Sequence, residues 1–149
     1  MFGLFKSKKK QPKCVTDEVL GELYYEGTTW YGSVNFKLFG KTYNIDVDLI
    51  TENEAPVNAA QKESYKKILN NDKIATEIEK VLQTQFPVEE FGCLEYCPVS
   101  LNFRPNGDCA LIVYIGGKDE EHLGFAVTIF PEISFYGDDE SYYTMVYFT

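Results

Sequence analysis

The sequence predicts an α+β domain: a mostly antiparallel sheet with a helix pair inserted between an N-terminal and a C-terminal group of strands. Three observations carry that prediction. Residues 28–50 alternate apolar and polar side chains with a period of two. Residues 58–85 space their apolar side chains as a helix does, and after residue 99 the strand pattern returns. No internal repeat divides the chain.

Residues 1–16 read as a basic flexible tail and residues 17–149 as one domain. Five lysines, Lys6, Lys8, Lys9, Lys10 and Lys13, fall in the first 13 residues with no acid among them. Val19–Tyr25 has strand composition. In Thr28–Phe39, Val34, Phe36 and Leu38 alternate with Ser33, Asn35 and Lys37; in Tyr43–Ile50, Ile45, Val47 and Leu49 alternate with Asn44, Asp46 and Asp48. One face of that hairpin enters a core, the other meets water, and Gly40-Lys41 supplies a glycine-first turn. Asn58 with Gln61 forms a capping box for a helix to about Asn70 that presents Tyr65, Ile68 and Leu69. Asn70-Asn71-Asp72 caps a second helix, whose Ile74, Ile78, Val81 and Leu82 share a face until Pro87 stops it.

After the loop carrying Cys93 and Cys97, Val99–Arg104 leads into Asn106-Gly107, a type I′ signal. Cys109–Ile115 is apolar at nearly every position, which places it centrally in the sheet. Leu123–Phe130 and Ile133–Tyr136 are further strands, split by Pro131. Gly137–Ser141 reads as an acidic turn and Tyr142–Phe148 as a last strand, with the helices all on one face of the sheet.

The chain has 149 residues, 14 Lys+Arg against 23 Asp+Glu and a net charge of −9. The lysine-rich start leaves nine basic residues in the remainder, so the body stands near −14. Such a charge excludes a broad basic surface for nucleic acid. Aromatic content of 15% excludes a disordered chain. There is no secretory signal and no apolar run long enough to span a bilayer, so a cytoplasmic location and reduced cysteines are expected.

No catalytic constellation emerges. His122 is the single histidine, in a charged loop beside Glu120 and Glu121. Cys93 and Cys97 have only Cys109 and His122 as a second ligand pair, a poor zinc spacing, and no metal or cofactor is expected. The acidic runs do not follow a calcium-loop pattern. What remains is acid interleaved with aromatics, the makeup of a binding hot spot in a field that steers basic partners. On that ground Trp30, Tyr31, Asp119, Glu120, Glu121, Asp138, Asp139, Glu140 and Tyr142 are the expected contacts for a basic protein partner.

The blocks Gly40-Lys41-Thr42-Tyr43-Asn44-Ile45-Asp46-Val47, Gln61 with Tyr65, Asn106-Gly107-Asp108, Leu123-Gly124-Phe125-Ala126-Val127 and Phe130-Pro131-Glu132 stand in an order that resembles an uncharacterised domain family of small acidic bacterial proteins, some immunity-like and associated with toxin systems. The resemblance runs from about Asp17 to Tyr136 and rests on turns and core positions. It implies a bacterial, cytoplasmic α+β protein and toxin neutralisation. The leading expectation is therefore a non-enzymatic binding module, an immunity-like inhibitor of a basic protein such as a toxin. One alternative is an enzyme or metal-dependent protein with a carboxylate-lined pocket between helices and sheet, drawing on Asp46 and Asp48. Another is a membrane-surface adaptor working through residues 1–13.

Overall fold

A computed structural model describes residues 13–69 and 72–148. Eight strands form one open sheet in sequence order: β1 (Lys13–Asp17), β2 (Gly21–Glu26), β3 (Thr29–Leu38), β4 (Lys41–Ile50), β5 (Leu94–Phe103), β6 (Cys109–Gly117), β7 (Leu123–Phe130) and β8 (Ser134–Asp138). All neighbours are antiparallel except β4 and β5, which pair in parallel with Asp46 opposite Ser100 and Asp48 opposite Asn102. A parallel pair requires a crossover. It is made by α1 (Ala59–Leu69), α2 (Asp72–Gln85) and the short α3 (Val88–Phe91).

The alternation seen in the sequence sorts the two sheet faces. Ile45, Val47 and Leu49 of β4, Leu101 and Phe103 of β5, and Leu111 and Val113 of β6 meet Tyr65 and Ile68 of α1 and Ile74, Ile78 and Leu82 of α2 in the main core. β6 is flanked by two strands and buried on both sides, as its unbroken apolar run requires.

The capping box closes α1 as expected. Gln61 N–H donates to Asn58 Oδ1 at 2.9 Å and Asn58 N–H to Gln61 Oε1 at 3.2 Å. Gln61 does more than cap: its fully buried Nε2 donates to Ile50 O at 2.8 Å and Arg104 O at 3.3 Å, joining α1 to the end of β4 and to the β5–β6 turn. Gln61→Ala therefore strips the buried Ile50 carbonyl of this donor, while Arg104 O keeps Gly107 N–H, and a loss of roughly 1–3 kcal/mol is expected in urea unfolding. Asn70 and Asn71, read with Asp72 as the cap of α2, lie outside the described residues.

Several expectations are corrected. The segment read as a last strand is a helix, α4 (Asp139–Phe148), and it lies on the opposite sheet face from α1 and α2, so helices cover both faces. Its Asp139, Tyr142, Tyr143 and Val146 recur at helical spacing and turn inward. Tyr142 packs on Ala110, Ile112 and Ala126 in a second core cluster. Tyr and Val favour strands, but packing and the cap decide here. Asp138, read as part of a turn, ends β8 and caps α4, accepting Ser141 N–H at 2.8 Å and Ser141 Oγ–H at 2.9 Å. Those two bonds hold its carboxyl below the ordinary carboxylate range.

The β3–β4 turn is centred on Phe39-Gly40 rather than Gly40-Lys41, with φ of 49° and 78°. A type I′ turn needs positive φ at both positions, and Phe39 is held there by Glu79 Oε2, which accepts its N–H at 2.7 Å. The β5–β6 turn is not type I′. Pro105 fixes a negative φ at the first position, Gly107 N–H donates to Arg104 O at 2.9 Å, and Gly107 alone adopts positive φ, 92°. Finally, the sheet starts at Lys13, inside the stretch read as tail. The remainder of the tail, residues 1–12, lies outside the described residues.

Candidate acidic cleft

Strand register brings separate acidic runs to one end of the sheet. The β6–β7 connection carries Asp119, Glu120 and Glu121, all exposed. Ile115 pairs with Leu123 at the base of that turn, and Phe125 pairs with Asp138 of β8. The side chain of Asp139 lies directly over Gly124, where a Cβ would collide with it. Glu140 follows in the first turn of α4, where negative charge suits the helix dipole. Glu95 of β5 stands opposite Gly116 at the same end. Its carboxylate is 3.4 Å from His122 Nε2, the one basic group paired with this acidic end among the described residues.

Beside these carboxylates opens a cleft of about 820 Å³. Its walls include Phe39 and Tyr43 from the β3–β4 hairpin, Phe86 after α2, Tyr96 of β5, and Glu89, Glu95 and His122. The Phe39 and Tyr96 rings are 4.7 Å apart. Phe86 is held from behind by Phe91, Phe125 and Phe135 at 5.0–5.7 Å. The result is an aromatic floor whose charged walls are mixed: Glu89 and Glu95 with Lys41 and His122.

The contacts expected from the sequence divide on this geometry. Asp119, Glu120, Glu121, Asp138, Asp139 and Glu140 lie at one end of the sheet, none of them in the lining of the cleft. Trp30 does not join them: it is 2% exposed, its Nε1 donates to Ala55 O at 2.8 Å, and it is a core residue. Tyr142 is equally buried at 2%, its hydroxyl 3.5 Å from Asn102 Oδ1, and burial drives its phenol pKa well up. Tyr31 sits toward the opposite end of the sheet, paired with Asp48. The aromatics that line the cleft were not singled out by sequence. Tyr96 lay in a stretch read as loop, Phe39 in a turn read as starting at Gly40, and only the crossover brings Phe86 beside them.

Asp46 and Asp48 lie on the sheet face away from α1 and α2, not in a pocket between them. Burial, and then the neighbouring Asp46 carboxylate, pushes the Asp48 carboxyl up to about 6, against the Asn102 amide, which lowers it. The same face buries Ser100 Oγ and the Asn102 amide, whose polar neighbours are the Tyr143 hydroxyl and the Asp48 carboxylate. Burial also raises the phenol of Tyr143 to about 12.

No disulfide joins the four cysteines; Cys14, Cys93 and Cys97 are exposed and Cys109 is buried, its thiol pushed up by that burial. Among the described residues no three His, Cys, Asp or Glu side chains gather as metal ligands, and no helix is long and apolar enough to cross a membrane.

Gly124 tests how α4 is seated. Gly124→Ala places a methyl in the space of the Asp139 carboxylate, so a loss of about 1–3 kcal/mol is expected. Adding Asp139→Ala removes the clash, and most of the loss should return in chemical denaturation.

No family model, curated protein or solved structure matches this chain.

Proposed function

We propose that the protein is a non-enzymatic binding module that takes a basic protein partner at the acidic end of its sheet, in the manner of an inhibitor that neutralises a cationic toxin. The observation that carries this reading is the register of β6, β7 and β8, which brings the runs 119–121 and 138–140 to the same end of the sheet as Glu95 and His122. An apolar floor at the acidic end of the sheet suits a partner that inserts an aromatic or aliphatic anchor there and sets lysine or arginine against the neighbouring acidic runs. The charge supplies on-rate and specificity, the cleft residence time.

The test is retention of a basic protein from the native host on the immobilised chain, followed by titration of the retained protein in solution. Wild type is compared with the variant Glu120→Lys, Glu121→Lys, Glu140→Lys, whose three substitutions fall on exposed residues and spare the Asp138 cap. Affinity should fall at least about tenfold in the variant and steeply with salt. Equal affinity for both chains, or none for any basic protein, contradicts the reading.

A further inference from the structure

On the other sheet face a second groove, also of about 820 Å³, lies over β1 to β4. It forms where the ladder between β2 and β3 ends at Tyr24 opposite Tyr31. The two rings stack with centroids 5.3 Å apart and 27° between planes. Tyr24 is 45% exposed, so one face of the stack is open to solvent. Glu22 and Asp46, both exposed, line the same groove. Asp48 is next along β4 on this face, opposite Tyr31.

Among the described residues no lysine, arginine or histidine forms an ion pair with these carboxylates; the Lys62–Asp17 and His122–Glu95 contacts lie elsewhere. Directly beside Asp46 in the parallel ladder stands Ser100, 6% exposed and next to the Tyr143 hydroxyl, outside the lining of the groove. The groove therefore offers an open aromatic surface and two exposed carboxylates, Glu22 and Asp46, in one strip. That combination suits a flat cation that both stacks and donates hydrogen bonds in its plane. A guanidinium does this; an ammonium is a compact point charge that does not stack.

We propose that this groove is a recognition site for an arginine side chain of a polypeptide, the guanidinium lying against the Tyr24–Tyr31 stack and donating to Asp46. The site is on a different face from the acidic cleft and does not depend on the function assigned to that cleft.

The probe is the peptide acetyl-Gly-Arg-Arg-Gly-amide, followed through the ring resonances of Tyr24 and Tyr31, with the Lys-Lys peptide as comparison. The Tyr24 and Tyr31 signals should shift on addition of the arginine peptide, and the lysine peptide should bind about fivefold more weakly. Asp46→Asn, an exposed and isosteric change, should weaken binding about tenfold. Tyr24→Leu, also at an exposed position, should do the same and keeps the test decisive if the first variant fails to fold. The variant Glu120→Lys, Glu121→Lys, Glu140→Lys should bind the peptide unchanged. Absence of shifts at both rings overturns the proposal. So does equal binding of the two peptides, or loss of binding in the acidic-end variant with none in Asp46→Asn.

Discussion

Asp48→Asn stabilises the protein above pH 6, by up to about 3 kcal/mol, and flattens the fall of stability between pH 4 and 7. The sign follows from the direction of the shift. The Asp48 carboxyl is raised from an ordinary 3.8 to about 6 in the folded chain. Between those values the folded state holds a proton that the unfolded state has released. The contribution of a neutral Asp48 is thus complete below pH 4 and is lost as the pH rises through 6. At neutral pH the fold carries a carboxylate beside Asp46 that burial disfavours. Asparagine keeps the shape and removes the charge. Urea midpoints of both chains at pH 4.5, 6 and 7.5 provide the check. The variant's advantage should grow with pH; an advantage that is absent or constant with pH contradicts the assignment. Because Asp48 borders the arginine groove, bound peptide should lower its pKa and partly offset the penalty.

Trp30→Ala costs about 3–5 kcal/mol, among the largest effects of any single truncation here. Its ring is 5.0 Å from Tyr25, and its indole N–H satisfies Ala55 O, tying β3 to the loop before α1. Trp30→Phe keeps most of the packing and gives up the hydrogen bond, so it should lose substantially less, with about 1 kcal/mol of that from the bond itself. Sequence composition alone puts Trp30 at a binding surface, and the two assignments predict different behaviour. A core residue lowers the denaturation midpoint of the free protein; a surface contact leaves it unchanged and weakens binding only. The 2% exposure of Trp30 favours the first result.

The parts of the fold legible in the sequence are those whose burial has a single period. The β3–β4 hairpin and the two crossover helices read correctly because one face is wet and the other dry. β1 was missed because Lys13 to Thr16 are all exposed, leaving no alternation to detect in an edge strand that merges with a lysine run. The first half of β5 was missed because Pro98 argues against a strand; a bulge between Pro98 and Ser100 accommodates it. α4 was misread because tyrosines and valine carry strand propensity, while the evidence for a helix lay in the spacing of Asp139, Tyr142, Tyr143 and Val146 and in the Asp138 cap. The candidate site was half legible for a related reason. Acidic runs stand out in a sequence, but their meeting at one end of the sheet depends on the pairing of β6 with β7 and of β7 with β8. The aromatic floor depends on the crossover between β4 and β5, which brings residues 39, 86 and 96 together from separate segments.

The central claim is that the acidic end captures a basic protein. Its most direct test is the affinity of a basic host protein retained by the wild-type chain, measured in low and moderate salt against the variant Glu120→Lys, Glu121→Lys, Glu140→Lys. A salt-sensitive complex of wild type that weakens at least about tenfold in the variant is the predicted result. A complex indifferent to both salt and charge reversal, or no basic protein retained at all, contradicts it.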